Sequence, residues 1–252
     1  MPLSAGGAFR VLPERSGGAE PEEEPGRVWA LIKLLIFDHD MTLVDSSQAI
    51  VCATNMVGKK LGKPPVTREA ALRYIALPLW DVFVGLWGDC KQEWIDLYRE
   101  NAESVEHELI RPFPDVPPTL LKLHETGIFL AVASNRRNPR AAMDKSRTSQ
   151  YFDAIVGPDD GLAFKPDPAM LRSLMKRFDA AAAETLYVGD SGIDVKTGIA
   201  AGVRPVGVAT GNFTRGELLG MGAWRALDSM SELPPLVAAE PDIMEMKEAT
   251  NA

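Results

Sequence analysis

The chain has 252 residues, of which 46% are hydrophobic and 25% charged, and its formal net charge is −8. This length allows one sizeable core and a smaller second domain, and the acidic balance argues against a nucleic-acid-binding surface, which needs a basic excess. The two cysteines, Cys52 and Cys90, lack metal-ligand spacing, and no apolar run is long enough to span a bilayer, so we expect a cytoplasmic protein without membrane partners.

Residues 1–26 are rich in Gly, Pro and Glu, so we predict a disordered extension that cannot bury enough apolar surface to offset the entropy of ordering. Residues 28–37 (VWALIKLLIF) are almost continuously apolar, which indicates a strand buried on both faces of a parallel sheet. Similar short apolar runs recur at 128–133, 154–156, 185–188 and 206–209. Helical patterns separate several of these runs, at 116–126, 168–178 and 193–201. This alternation predicts an α/β fold with a doubly wound parallel sheet.

Residues 47–112 interrupt the alternation because they contain no convincing strand. Prolines divide them into stretches of helical character, at 48–61, 68–75, 79–86 and 91–107. We therefore predict an all-helical domain, 47–112, inserted into an α/β core of residues 27–46 and 113–238, with a loose C-terminal tail at 239–252. Three tryptophans, Trp80, Trp87 and Trp94, fall in the insert, and we expect them to build its core.

Polar side chains follow the predicted strands. The first strand is followed by Asp38-His39-Asp40-Met41-Thr42, and later strands are followed by Ser134-Asn135, Lys165, and Asp190 with Asp194. Open α/β sheets bind ligands in the crevice at the carboxyl ends of their strands, so these groups are expected to converge on one edge of the sheet. His39 is expected to be a packed side chain rather than a catalyst.

These segments, in this order, resemble the signature of the haloacid dehalogenase superfamily: DHDMT (38–42), SN (134–135), KP (165–166) and GDSGID (189–194). The resemblance covers roughly residues 30–235 and implies a Rossmann-like sheet of strand order 5-4-1-2-3, with the helical insert as a type-1 cap. FDHDMTLVDS (37–46) and VGDSGIDVKTGIAAGVRPVGVATG (188–211) are most similar to the branch of phosphoglycolate phosphatase and β-phosphoglucomutase.

The resemblance implies a role for each motif residue. Asp38 is the nucleophile and forms an aspartyl-phosphate, while Asp40 is the general acid and base. Lys165, Ser134 and Asn135 hold the phosphoryl oxygens of a small phosphorylated substrate as charge develops, and Thr42 orients the loop around Asp40 and Asp190.

The resemblance also implies Mg²⁺, which prefers hard oxygen ligands. The implied ligands are a carboxylate oxygen of Asp38, the backbone carbonyl of Asp40, and Asp190. Asp194 is expected either to act through a water molecule or to steady Lys165.

Three departures from the branch's pattern leave the chemistry intact and the substrate open. Met41 stands where glycine is usual, Ala76 replaces a glycine in the cap loop, and Arg136 and Arg137 follow Asn135 where a lysine is more usual.

We therefore expect a Mg²⁺-dependent phosphatase acting on a phosphoglycolate-like phosphomonoester, as a monomer or homodimer. The intact Asp40 argues against the dehalogenases and phosphonatases of this fold, which lack that carboxylate. A sugar-phosphate mutase, a pyrophosphatase and a non-catalytic binding protein of the same superfamily remain as alternatives.

Overall fold

The computed structural model describes residues 32–238. The predictions made for residues 1–26 and 239–252 lie outside this range, as does the first part of the apolar run at 28–37. Within the described range, no helix combines the length and the apolar character that a membrane span requires.

Eight strands occur within the described residues. They are β1 (Leu34–Phe37), β2 (Val44–Asp45), β3 (Arg111–Pro112), β4 (Phe129–Ala133), β5 (Ala154–Val156), β6 (Thr185–Gly189), β7 (Arg204–Val208) and β8 (Arg225–Leu227). Six of them form one sheet in the order β5-β4-β1-β6-β7-β8, and all its neighbouring pairs are parallel. The five predicted strands therefore have the order 5-4-1-2-3, as the resemblance implied. The sixth strand, β8, escapes prediction, because its three residues begin with Arg225 and form no continuous apolar run.

Ten α-helices accompany these strands within residues 32–238. They are α1 (Ser47–Leu61), α2 (Arg68–Leu72), α3 (Leu79–Trp87), α4 (Gln92–Leu109), α5 (Val116–Glu125), α6 (Pro139–Lys145), α7 (Ala169–Arg177), α8 (Gly192–Ala201), α9 (Arg215–Gly220) and α10 (Leu233–Ala238).

The central strand β1 is buried on both faces. Successive side chains of a strand point to opposite faces, so Leu35 and Phe37 join the apolar cluster that includes Leu120 of α5. Leu34 and Ile36 join the opposite cluster, which includes Met170, Leu171 and Leu174 of α7. This two-sided burial confirms the doubly wound α/β fold.

Helices α1–α4 form a helical block that encloses an apolar cluster of its own. Phe83 lies at its centre, with its ring stacked on that of Trp87 at 5.3 Å and in edge contact with Trp94 at 6.2 Å. The expectation that Trp80 belongs to this core is wrong, because its side chain is 48% exposed. Helix α3 (LWDVFVGLW) is apolar on nearly all sides, and only the face that carries Val82 and Phe83 is buried.

The helical block is joined to the sheet through a short antiparallel ladder. Strand β2 pairs with β3, so that Val44 lies opposite Pro112 and Asp45 opposite Arg111. The prediction that residues 47–112 lack a strand is therefore wrong at its last two residues. A two-residue strand carries no periodic pattern, so only its partner across the chain reveals it.

Candidate active site

The predicted site residues lie at the carboxyl ends of adjacent strands. Asp38 follows β1, Ser134 follows β4 and Asp190 follows β6, and these three strands are neighbours in the sheet. Lys165 arrives from the loop after β5, and only 3% of its surface is exposed. The parallel order of the strands therefore brings together groups that are more than 150 residues apart in the chain.

The ammonium group of Lys165 connects three buried side chains. Its Nζ lies 2.5 Å from Asp38 Oδ1, 2.8 Å from Asp194 Oδ1 and 3.0 Å from the Tyr187 hydroxyl. Burial by itself disfavours the cation, but the carboxylates of Asp194 and Asp38 raise the pKa of Lys165 well above its usual range. Lys165 is thus a fixed positive charge beside the predicted nucleophile.

The side chain of Asn135 forms hydrogen bonds with both backbone polar groups of Lys165. Its side chain accepts a hydrogen bond from the Lys165 N–H at 2.7 Å and donates to the Lys165 carbonyl at 3.2 Å. The same amide group donates to the carbonyl of Ala76, between α2 and α3, at 3.1 Å. Asn135 therefore joins the loop after β4, the Lys165 loop and the helical block.

Asp194 accepts hydrogen bonds at both carboxylate oxygens. Oδ1 accepts from Lys165 and from the Tyr187 hydroxyl, the latter at 2.7 Å, and Oδ2 accepts from the N–H and the hydroxyl of Ser191. The Ser191 and Asp194 contacts form the capping box that begins α8. These donors occupy the carboxylate, which favours the positioning of Lys165 over direct metal ligation.

Tyr187 is a member of this network that the sequence prediction missed. It lies inside β6, where a tyrosine is usual as an apolar core residue, and it is fully buried. A buried tyrosine hydroxyl needs a hydrogen-bond partner, and that requirement is the signal that could have marked it.

A group of buried carboxylates could hold a metal ion. One oxygen each of Asp38, Asp190 and Asp194 lies within 4.8 Å of the others. Thr42 donates a hydrogen bond to Asp190 Oδ1 at 3.1 Å. A Cβ atom on Gly211 would overlap the Asp190 carboxylate, so the glycine leaves room for that group.

The charge of this group fits a divalent cation. Three carboxylates face one ammonium group, Lys165, which leaves two buried negative charges without a cationic partner in the described part of the chain. Burial raises the pKa of Asp38 to about 7, and burial together with the neighbouring Asp194 raises the pKa of Asp190. Hard oxygen donors with an excess of two negative charges are suited to Mg²⁺.

The Asp40 side chain lies apart from this group. Its two oxygens accept hydrogen bonds from Nε and Nη2 of Arg136, at 3.1 and 2.9 Å, and the third nitrogen of Arg136 donates to Glu106 of α4. Although burial opposes ionisation, the Arg136 guanidinium holds the pKa of Asp40 well below its usual range. Asp38 and Asp40 therefore have different cationic partners: Asp38 lies against Lys165, and Asp40 is bound to Arg136.

His39 stands between Asp38 and Asp40 in the sequence. Its side chain is fully buried, as expected of a packed residue. Among residues 32–238, neither of its ring nitrogens finds a hydrogen-bond partner, and Nδ1 lies 3.6 Å from Asp40 Oδ1.

A cavity of about 640 Å³ opens between the helical block and the sheet. Five of the predicted residues line it, namely Asp38, Asp40, Ser134, Asn135 and Lys165, whereas Thr42, Asp190 and Asp194 do not. Its lining also includes Trp80 and Tyr98 from the helical block and Arg136 from the loop after β4. A small molecule in this cavity can contact Asp38, Asp40 and Arg136 together.

The chain is similar to several known proteins. A family model described as haloacid dehalogenase-like hydrolase matches residues 35–208. A phosphoglycolate phosphatase from Pseudomonas fluorescens (strain Pf0-1) is 33% identical over 193 residues, which cover 72% of this chain and 71% of the relative. The pyrophosphatase PpaX from Bacillus mycoides (strain KBAB4) is 28% identical, over 82% of this chain and 97% of the relative. A solved structure named as a haloacid dehalogenase-like hydrolase, from Bacteroides fragilis, has a TM-score of 0.73 and 30% identity, over 80% of this chain and 99% of that one.

Proposed function

Because this chain belongs to the family of haloacid dehalogenase-like hydrolases, we propose that it is a phosphatase that hydrolyses a small phosphorylated metabolite through a phosphorylated Asp38. The observation that carries this proposal is the difference between the environments of the Asp38 and Asp40 carboxylates. Asp38 lies 2.5 Å from the Lys165 ammonium group, whereas Asp40 is separated from that group and bound to Arg136. One carboxylate is placed to attack and the other to exchange a proton.

The proposed reaction has two steps. In the first, Asp40 parts from Arg136 and takes up a proton from solvent, because the ion pair seen in the structure keeps it ionised. An Asp38 carboxylate oxygen then bonds to phosphorus while the bond from phosphorus to the leaving oxygen breaks, and that oxygen takes the proton from Asp40. In the second, a water molecule loses a proton to Asp40 and bonds to phosphorus, which releases phosphate and restores Asp38. Lys165, Ser134 and the backbone N–H of Asn135 hold the phosphoryl oxygens.

Mg²⁺ is the proposed cofactor, held by Asp38, Asp190 and the backbone carbonyl of Asp40. When bound, it supplies positive charge that neutralises the carboxylates and the phosphoryl oxygens. Asp194 acts on this site through Lys165, because hydrogen-bond donors already occupy both of its oxygens.

The proposed substrate is a phosphoglycolate-like phosphomonoester, since the 33% identical relative is a phosphoglycolate phosphatase. A pyrophosphatase activity is the second candidate, supported by the 28% identical pyrophosphatase, of which the match covers 97%. Residues 47–112, which contain the helical block, are proposed to act as a cap domain that closes the cavity over either substrate. Ala76 and Glu106 of this segment accept hydrogen bonds from Asn135 and Arg136 in the loop after β4.

Turnover of an aryl phosphate, phosphoglycolate and pyrophosphate in the presence of Mg²⁺ tests the proposal. We expect activity that a chelator abolishes and that Asp38→Asn reduces to background. Full activity in excess chelator would show that no metal ion is required. An active Asp38→Asn protein would show that Asp38 is not the nucleophile.

Asp40→Asn separates the acid from the nucleophile. An alkyl phosphate needs its leaving oxygen protonated, so its turnover should fall by about 10²–10⁴-fold, the usual contribution of a general acid. An aryl phosphate should still phosphorylate the protein, and the intermediate should accumulate because the second step lacks its base. Acid quenching and mass analysis should find one phosphoryl group on the peptide that contains Asp38. A label on another residue would contradict the assignment.

A further inference from the structure

Arg136 is a largely buried arginine in the wall of the catalytic cavity. Its side chain is 16% exposed, whereas those of Arg99 and Arg137, which also line the cavity, are 41% and 56% exposed. It follows Ser134 and Asn135 directly, and its own N–H donates to the Ser134 hydroxyl at 3.1 Å. The guanidinium is therefore fixed beside the residues proposed to hold the phosphoryl group.

The charges around Arg136 are balanced without a ligand. Arg136 pairs with Asp40 and Glu106, and Lys145 lies 3.8 Å from the second oxygen of Glu106. Two cations therefore face two carboxylates. If Asp40 leaves this group, a buried guanidinium loses one of its two partners, which is costly unless another anion takes the place of Asp40.

The position of Asp40 indicates where that anion comes from. In the proposed reaction, Asp40 protonates the leaving oxygen, so the leaving group lies beside Asp40 and within reach of the guanidinium that now binds Asp40. A guanidinium has a planar pair of donors that fits a carboxylate or a phosphate group as well as it fits Asp40. A neutral leaving group cannot replace Asp40 as an anionic partner of Arg136.

We propose that Arg136 is a specificity-determining residue, which exchanges Asp40 for a second anionic group, a carboxylate or phosphate, on the leaving side of the substrate. This inference rests on the proposed phosphatase function. It places substrate selection in the loop after β4, next to the catalytic groups, and it links release of Asp40 to the presence of the correct leaving group.

Two substrates of equal chain length test the exchange: phosphoglycolate, which carries a carboxylate, and 2-hydroxyethyl phosphate, which carries a neutral hydroxyl group in its place. We expect kcat/KM of the unmodified protein to favour phosphoglycolate by about ten- to hundredfold, the range of a hydrogen bond to a charged group. In Arg136→Gln this ratio should fall to near one, and Arg136→Lys, which keeps the charge and loses the planar donors, should be intermediate. Arg140→Gln is the matched control, because Arg140 is an exposed residue of α6 that does not line the cavity.

Binding provides a readout that needs no turnover. Calorimetric titration of the Asp38→Asn protein should show tighter binding of phosphoglycolate than of 2-hydroxyethyl phosphate, and Asp38→Asn/Arg136→Gln should lose that preference. Equal losses for both ligands in Arg136→Gln, or no preference in the parent protein, would overturn the role of Arg136. If no phosphorylated compound is hydrolysed, the proposed function fails instead, while the binding preference is still measured.

Discussion

The buried hydroxyl of Tyr187 positions the ammonium group of Lys165, which is proposed to act in catalysis. It donates to Asp194 and accepts from Lys165, so it fixes the ammonium group relative to Asp38. Without it, Asp194 Oδ1 loses a donor and Lys165 loses an acceptor, and both side chains are almost fully buried.

Tyr187→Phe should therefore reduce kcat by about tenfold and lower the free energy of unfolding by about 1–3 kcal/mol, the cost of leaving buried polar groups unpaired. KM should change little, because the ring still fills its place in β6. Steady-state kinetics and urea unfolding measure the two effects. Tyr151→Phe, which removes a hydroxyl outside the site, is the control, and an unchanged kcat in Tyr187→Phe would exclude the positioning role.

Met41 has a backbone conformation that few side chains adopt. Its φ is +62°, in the left-handed region where the branch usually has glycine, yet its side chain is almost fully buried. Burying a methionine contributes about 1.5–3 kcal/mol, which offsets the roughly 1–2 kcal/mol of the unfavourable backbone. This departure from the branch's pattern is thus tolerated because the side chain belongs to the core.

The loop after β7 lies against the carboxylate of Asp190. Thr210 in this loop donates to the Met41 carbonyl at 2.5 Å, which joins it to the loop after β1. The next residue, Gly211, lies against Asp190, where a methyl group has no space.

Gly211→Ala should displace the Asp190 carboxylate and weaken Mg²⁺ binding by about ten- to hundredfold, the range found when groups that support metal ligands are altered. The Mg²⁺ concentration for half-maximal activity measures this effect, and calorimetric Mg²⁺ binding measures it without turnover. Gly216→Ala in α9 is the control, because a Cβ at Gly216 meets nothing within 4 Å. Equal Mg²⁺ affinity in the two variants would show that Gly211 has no such role.

Elements with a continuous apolar run or a periodic pattern could be predicted from the sequence, including the three-residue strand β5, whereas short elements without such a pattern could not. Strands buried on both faces, such as β1, and helices such as α4 leave apolar runs or periodic patterns. The strands β2, β3 and β8 have two or three residues each, so their pairing partners define them. Likewise, motif order indicated that Asp38 and Lys165 converge, but nothing near Asp40 in the chain indicated its contact with Arg136, which lies 96 residues away.

The excess of buried carboxylates predicts how the free energy of unfolding of the protein depends on pH. Asp38 has a pKa of about 7 in the folded protein against an ordinary value of 3.8, so the folded state holds this proton more tightly than the unfolded chain. Its contribution to stability is complete below about pH 4 and is lost as the pH rises through 7. The pKa of Asp40 is lowered, so Asp40 stays ionised between about pH 4 and pH 7 in the resting protein. It therefore does not change the free energy of unfolding with pH in that interval.

The free energy of unfolding of the metal-free protein should therefore fall as the pH is raised from about 4.5 to 7.5. Asp38→Asn should show a shallower fall, because the titrating group is gone, and saturating Mg²⁺ should reduce the fall in the unmodified protein. Urea unfolding at several pH values, with and without Mg²⁺, measures these slopes. Identical slopes in the metal-free protein and in Asp38→Asn would contradict the assignment.

The ladder of β2 and β3 has a mechanical consequence. The chain enters the helical block through Val44–Asp45 and leaves it through Arg111–Pro112, and hydrogen bonding between them makes the two linkers one ribbon. Two independent tethers would let the block slide, twist and swing in several directions, whereas a paired ribbon resists sliding along its length and bends most easily about one axis. We therefore expect the helical block to rotate about a single axis at this ladder. Such a rotation returns Glu106 to the same position beside Arg136 whenever the cavity closes.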